Sequence, residues 1–369
     1  MDIIQLLILC IDVGKGTEDI LLYQENQLIE NSIQMILPST AQLLVKKIER
    51  IKTRPLRING DLMAGEPWHK SVYAISESEP NAVIMTKTAA RSLRYMLDQV
   101  RSKGIKIVED GEINDFDGPI IEISDVDWNR IFKILEGSGI GKKEITKVLL
   151  CCQDHGEPED PKQSTRDFRM KTVYRDLGIQ GRLEDLLFES SLIPDSLPRL
   201  KSIASSALRI FTHLKNNDVF VMDSSPAVIL GAVRYVKDYE LVVNVGNGHT
   251  LAVILKNKLV EAIYEIHTGG IKLENFIENI QRLAMGNLSH EETLKSGGHG
   301  VFIRNEMKMK YPEIQNLFPM SVIGPNRAKL KTLDIKYVNP GGNMMMAGPI
   351  GLLRAYHHLT GKQLEISLE

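Results

Sequence analysis

The sequence predicts an α/β fold of two lobes, and three observations carry that prediction. A glycine turn between two apolar strands occurs at 12–17 and again at 244–250. Each turn opens the same succession of strand, turn, strand, strand and helix. The 369 residues exceed the size at which a single hydrophobic core usually stops growing.

The first lobe is expected over 1–237 and the second over 238–369. Leu6–Ile11 is a strong apolar strand, followed by Ile20–Gln24 and Ile29–Leu37, with Gly14, Gly16 and Asn26 in the connections. A dinucleotide-binding fold would place a helix directly after its glycines. Here another strand follows. From Ser39 or Thr40, either of which can cap a helix, Leu43, Leu44, Ile48 and Ile51 recur at helical spacing. Extended segments Leu56–Asn59, Ala82–Met85, Ile105–Val108 and Ile120–Ile123 then alternate with helical Ala89–Arg101 and Trp128–Leu135. This is more chain than a minimal lobe needs before the buried strand Val148–Cys152, so 54–145 reads partly as an inserted subdomain. Gly156–Lys171 reads as a polar surface loop, and Leu200–Leu214 and Pro226–Val236 as helices. In the second half, strands Leu241–Val245, Leu251–Leu255 and Leu259–His267 precede a helix over Leu273–Leu283. A strand at Ile335–Val338 and a helix from Met345 to Tyr356 close the chain.

With 45 basic and 47 acidic residues the net charge is -2, which provides no electrostatic footprint for nucleic acid or an anionic membrane. The N-terminal run Ile3–Ile11 is too short to span a bilayer and lacks a basic leader. Cys10, Cys151 and Cys152 are sparse and lie in apolar strands, as expected of reduced thiols in a cytoplasmic protein. The adjacent pair points to opposite faces of its strand, and no spacing resembles the clustered cysteines of an iron–sulfur site.

Three constellations can carry chemistry. In Ile11-Asp12-Val13-Gly14-Lys15-Gly16-Thr17 the glycines let backbone N–H groups approach a phosphate, and Asp12 is placed to hold Mg²⁺ through water. The second is Val243-Asn244-Val245-Gly246-Asn247-Gly248-His249-Thr250. Taken alone, each reads as a plain hairpin; two of them, each opening its own half, point to one shared ligand. The third, Gln153-Asp154-His155-Gly156-Glu157, follows the strand Val148–Cys152 at the end where α/β lobes gather ligands. Asp154 is a candidate general base oriented by His155, and Arg166 and Arg169 are candidate bidentate holders of an anionic substrate. The alternative is a polar loop in which Asp154 caps a turn. Gly137–Lys143 fails as a phosphate loop because Glu136 and Lys143 stand where glycine and Ser or Thr are needed.

The paired turns resemble those of the actin, heat-shock-protein-70 and sugar-kinase superfamily, whose ribonuclease H-like lobes clamp ATP. The resemblance implies an actin-like ATPase fold in which Asp12, Gly14, Lys15, Gly16 and Thr17 form the first phosphate loop. Gly246, Asn247, Gly248, His249 and Thr250 form the second, with Mg²⁺ beside Asp12 and Asn244. Asp223–Gly231 is similar to the small-residue helix that connects the lobes, and His267–Gly270 to the turn after the second phosphate strands. Asn339-Pro340-Gly341-Gly342 and the helix after it resemble the adenosine motif. Relatives usually carry aspartate at Asn244 and threonine at His249, so the resemblance supports nucleotide binding more firmly than hydrolysis. The implied function is ATP binding, with phosphoryl transfer to a small acceptor or ATP hydrolysis. The alternative is a nucleotide-gated switch acting on a protein partner. Gln153–Gly156, Gly60–Gly65 and Gly297-Gly298-His299-Gly300 resemble a narrower, largely archaeal family labelled as pyruvate formate-lyase activating enzymes. His299 joins Arg166 and Arg169 as a candidate substrate contact. Radical activation of the labelled kind needs a three-cysteine cluster site, which this spacing does not provide.

Overall fold

Leu7–Val13, apolar except for Asp12, forms the centre of the first sheet in the computed structural model. The structure describes residues 6–160, 162–174, 177, 181–235, 238–304, 307–362, 364, 367 and 368. In chain order the strands are β1 (Leu7–Val13), β2 (Thr17–Gln24), β3 (Ile33–Pro38), β4 (Leu56–Gly60), β5 (Val83–Thr86), β6 (Lys106–Val108), β7 (Ile120–Ile123), β8 (Lys147–Cys152), β9 (Phe188–Glu189) and β10 (Val219–Asp223). They continue with β11 (Tyr239–Val245), β12 (His249–Lys256), β13 (Leu259–His267), β14 (Gly300–Ile303), β15 (Met320–Ile323) and β16 (Ile335–Tyr337).

The two large sheets repeat one plan. Their orders are β3-β2-β1-β8-β10-β9 and β14-β13-β12-β11-β15-β16. In each, three antiparallel strands are followed by two that run parallel to the first. This duplicated order is the two-lobed, ribonuclease H-like architecture expected from the sequence. A separate parallel sheet, β6-β5-β4-β7, lies between β3 and β8 in the chain and is the inserted subdomain.

Between the large sheets lies one continuous core, to which both contribute: Ile8, Cys10 and Leu21 from the first, Val242, Val253 and Ile263 from the second. The helices Ser224–Ala232 and Ala347–Leu359 fill it. They cross at glycines. A Cβ on Gly231 would lie 1.9 Å from the Ala347 carbonyl oxygen, and one on Gly351 would lie 1.8 Å from that of Ala227. Such contacts leave no room for a methyl group without separating the backbones. Gly351→Ala is therefore expected to cost about 1–3 kcal/mol of stability, read as a lower denaturation midpoint. An unchanged midpoint would mean the crossing yields freely.

The outer face of each sheet has its own core, and the inserted sheet a fourth. The inserted sheet is fastened to the first lobe by ionic contacts. Arg199 grips Asp125 through Nε and Nη2, both at 2.8 Å, Arg209 grips Asp61 at 2.7 Å, and Lys15 pairs with Glu66. Lys15 belongs to the first glycine turn, so the insertion borders that turn.

Several sequence expectations change. Ile29–Asn31 is a short 3-10 turn rather than the start of β3, because β3 pairs with β2 only from Ile33. The expected helix Ala89–Arg101 is two helices, Lys87–Arg91 and Leu97–Arg101. Gly156–Lys171 is not wholly loop: Thr165–Phe168 is helical and continues into a π-helical turn, Arg169–Val173. Val236 and Lys237, the expected end of a helix and of the first lobe, lie outside the described residues.

Candidate functional site

The two glycine turns have the same geometry. Gly14 N–H donates to the Thr17 carbonyl and Gly246 N–H to the His249 carbonyl, each at 2.9 Å. A second bond anchors each turn to the chain beyond its hairpin, Ser39 N–H to Gly16 O at 3.1 Å and Thr268 N–H to Gly248 O at 2.9 Å. The N–H groups of Lys15, Gly16, Asn247 and Gly248, at the tips, take no part in these bonds. The tips meet: a Cβ on Gly16 would lie 2.8 Å from Asn247 Nδ2, and one on Gly248 3.9 Å from Lys15 Cδ. Residues more than two hundred positions apart thus converge because the two sheets face each other with their β1 and β11 strand ends together.

Beside the first turn, antiparallel pairing sets Asp12 opposite Asp19. Both are 6% exposed. Asp12 accepts a hydrogen bond from the Ser224 hydroxyl through Oδ1, and Gly348 leaves its Oδ2 room that a Cβ, 2.2 Å away, would fill. Burial, only partly offset by Ser224, pushes Asp12 up to about 6. Asp19 goes further, to about 8, through burial and then the neighbouring Asp12 charge. Asp19 Oδ1 has no hydrogen-bond partner among the described residues. Two buried carboxylates with an unsatisfied oxygen suit a hard divalent cation such as Mg²⁺. Asp19 escaped the sequence reading. Its position two residues after Thr17, mirroring Asp12 two before Gly14, was the available signal.

The second turn is buttressed by the exit from β15. Gly324, at φ +101°, lies so close to Val245 and Asn244 that a Cβ would sit 2.5 Å from the Val245 carbonyl and 2.6 Å from Asn244 Oδ1. Asn326 Nδ2 donates to the Gly246 carbonyl at 3.1 Å and to Asn247 Oδ1 at 3.3 Å. The glycines of the expected adenosine motif are not part of this buttress. Gly341 packs instead against Ile29 and Ile350 and donates to the Ser367 carbonyl at 2.9 Å. Gly341 and Gly342 follow the edge strand β16, whereas β15 is the strand parallel to β11. Thr250 is also reassigned: fully buried, its hydroxyl bonds Thr268 at 3.0 Å, and Thr268 donates to the Gly246 carbonyl. It braces the turn from within.

Asp154 is not a general base in this arrangement. Its Oδ2 accepts from the Arg199 and Leu200 N–H groups at 2.8 and 3.1 Å, and its Oδ1 from Gly156 N–H at 2.9 Å. Buried at the start of helix Pro198–Ile210, it satisfies that helix's free donors. The turn-capping alternative is the one observed. Arg169 is likewise unavailable to a substrate. It is fully buried, bidentate to Asp223 at 2.7 and 2.9 Å, and bonded to Glu265, the Asp154 carbonyl and Tyr174. Asp223 ends β10 and Glu265 lies on β13, so this guanidinium ties the two sheets. Arg166 donates to the Gly298 carbonyl at 3.1 Å, reaching from the first lobe to the loop that carries His299.

His155 and His299 do come together, and His249 joins them. Ring centroids stand 5.5 Å apart for His155–His249, 5.5 Å for His155–His299 and 4.2 Å for His249–His299. His267, absent from the sequence reading as a site residue, lies 4.5 Å from His299. Burial first, then neighbouring cations and imidazoles, depresses these rings: His249 to about 4, His299 to about 2, and His155 well below its ordinary value.

The cysteines are dispersed. Cys10 and Cys151 lie in the central core and Cys152 in the outer core of the first sheet, all fully buried. No helix among the described residues is long and apolar enough to cross a membrane.

A family model described as "Putative pyruvate format-lyase activating enzyme (DUF1786)" matches residues 63–329. No curated protein matches the sequence. Solved structures similar to the chain include MreB 5 of Spiroplasma citri bound to AMPPNP, at 10% identity over 96% of this chain and 97% of that one, TM-score 0.32. Ethanolamine utilization protein EutJ from Carboxydothermus hydrogenoformans is 9% identical over 93% and 88%, TM-score 0.27. An exopolyphosphatase from Cytophaga hutchinsonii is 9% identical over 98% and 92%, TM-score 0.28.

Proposed function

For this chain, which belongs to the DUF1786 family, we propose that ATP binds between the lobes with its phosphates held by both glycine turns. One observation carries the reading: two hairpins of identical hydrogen bonding meet tip to tip with a buried carboxylate pair beside one of them. Backbone N–H groups at the tips of both turns are the natural donors to phosphate oxygens. Lys15, now paired with Glu66, would add a cation on the first turn. Asp12 and Asp19 would hold Mg²⁺, which supplies charge neutralisation for the phosphates when bound. Gly324–Asn326, at the end of β15, then takes the place beside the nucleotide that the sequence assigned to Gly341 and Gly342.

Phosphoryl transfer needs little beyond alignment, water exclusion and charge stabilisation. The lobes supply these through the crossing helices, about which they would open to admit the triphosphate between the touching turns and then close on it. The acceptor is a small molecule or water. Asn244, neutral and packed under Gly324, favours a second reading: a nucleotide-gated switch with little turnover, acting on a protein partner. The three-cysteine cluster site that radical activation needs has no support in the cysteines. Cys151 and Cys152 point into different cores, and no three thiols converge.

Calorimetric titration with ATP and Mg²⁺ tests binding, and phosphate release under the same conditions separates turnover from switching. Micromolar binding is expected for the wild type and at least 50-fold weaker binding for Gly16→Val, whose side chain would occupy the space between the turns. Equal affinities, or no binding by the wild type, would remove the reading.

A further inference from the structure

We propose that His155, His249 and His299 form a binding site for a divalent first-row transition-metal ion, zinc fitting best. The site is independent of the nucleotide reading. Each ligand comes from a different segment: His155 follows β8, His249 opens β12, and His299 immediately precedes β14. One donor atom from each lies within 4.8 Å of the others. Three nitrogens bound to one zinc at about 2.1 Å stand about 3.4 Å apart in tetrahedral geometry. A small contraction of the rings therefore closes the site.

The surroundings point to a missing partner. His299 is 3% exposed, yet its Nδ1 finds no hydrogen bond among the described residues. An unsatisfied nitrogen inside a protein is costly unless something binds it. His299 Nε2 also faces His267 Nε2 at 3.3 Å, which fixes the ring so that Nδ1 remains free for another use.

Support from outside the three rings is present as well. Glu265 Oε1 lies 3.5 Å from His249 Nδ1, placed to accept the proton that this nitrogen carries when the other binds a metal; the Gln153 amide, in contact with the same nitrogen, would then present its oxygen. A carboxylate behind one ring nitrogen orients the other toward a metal, as ligating histidines usually require. Arg169, beside the rings, is held by two buried carboxylates, Asp223 and Glu265. The donor set is three imidazoles with no thiolate, which suits zinc and its first-row neighbours over Mg²⁺ or Ca²⁺. Three protein ligands leave a coordination position open, as in sites that bind water or substrate. Because His249 opens β12 at the second glycine turn, the site borders that turn.

The test uses chelator-treated, nucleotide-free protein. Titration with Zn²⁺ is expected to show one site of submicromolar Kd, at least 100-fold weaker in His155→Ala and in His299→Ala and unchanged in His358→Ala, an exposed histidine on the last helix. Should either alanine variant fail to fold, zinc-edge X-ray absorption of the loaded wild type reads the ligands directly and is expected to show imidazole scattering. Zinc affinity unaffected by both substitutions, or a first shell without imidazole, would overturn the proposal. So would the absence of a site tighter than that of weak surface histidines. None of these results bears on ATP binding, which is measured with Mg²⁺ alone.

Discussion

Replacing Arg169 with leucine is expected to lower the stability of the folded chain by about 3–5 kcal/mol, enough to leave a marginal protein largely unfolded. The reason lies in what would remain. Asp223 and Glu265 are buried, and Arg169 is their shared cation at 2.7 and 3.2 Å. Removing it leaves two uncompensated carboxylates in the interior, together with an unsatisfied Asp154 carbonyl and Tyr174 hydroxyl. Breaking such a network from one side costs far more than the network itself contributes. Since Asp223 ends β10 and Glu265 lies on β13, the loss falls on the junction of the sheets. Arg169→Lys keeps the charge but loses the planar fork, so an intermediate loss is expected. Urea denaturation followed by circular dichroism measures both. A leucine variant with the wild-type midpoint would show that the junction does not depend on this guanidinium.

The glycine turns were legible because the signal is local. An apolar strand, a glycine pair and a second apolar strand leave few backbone solutions, and the pattern occurs twice. The order of events in each half followed for the same reason. By contrast, β10 and β15 are fully buried stretches of five and four residues. Short apolar runs have no alternation to read, and these two were missed although each carries one of the two parallel positions of its sheet. The reading of Gly341 and Gly342 as the adenosine glycines has this origin. A glycine pair before a helix looks alike wherever it occurs, and only strand order distinguishes the edge strand β16 from β15.

Charge was harder still. Arg169 lies in a polar segment, and its partners are 54 and 96 positions away. Nothing local separates a solvated arginine from one that bridges two sheets. Asp154 illustrates the complementary failure: a carboxylate at a strand end was correctly located, but the helix start that consumes its oxygens comes some forty residues later. The histidines at 155, 249 and 299 converge through topology alone, although each follows or begins a strand at the same end of its sheet.

Asp19→Asn is expected to stabilise the nucleotide-free protein at pH 8 while abolishing its response to Mg²⁺. In the folded state Asp19 is pushed up to about 8 from an ordinary 3.8, by burial and by Asp12. The folded chain therefore binds a proton more tightly than the unfolded one. Its contribution to stability is complete below about pH 4 and is lost as the pH rises through 8. An asparagine needs no proton, so the variant should gain about 2–5 kcal/mol over the wild type at the alkaline end and little at pH 4. His249 and His299 have folded values below the unfolded one, so they weaken the fold as pH falls below about 6.5. They are common to both proteins and cancel in the difference. Mg²⁺ takes the place of the proton for the wild type, raising its melting temperature at pH 8, and has no equivalent purchase on the amide. Parallel stability–pH curves would show that Asp19 ionises freely in the fold. An equal Mg²⁺ response in both proteins would place the cation away from this pair.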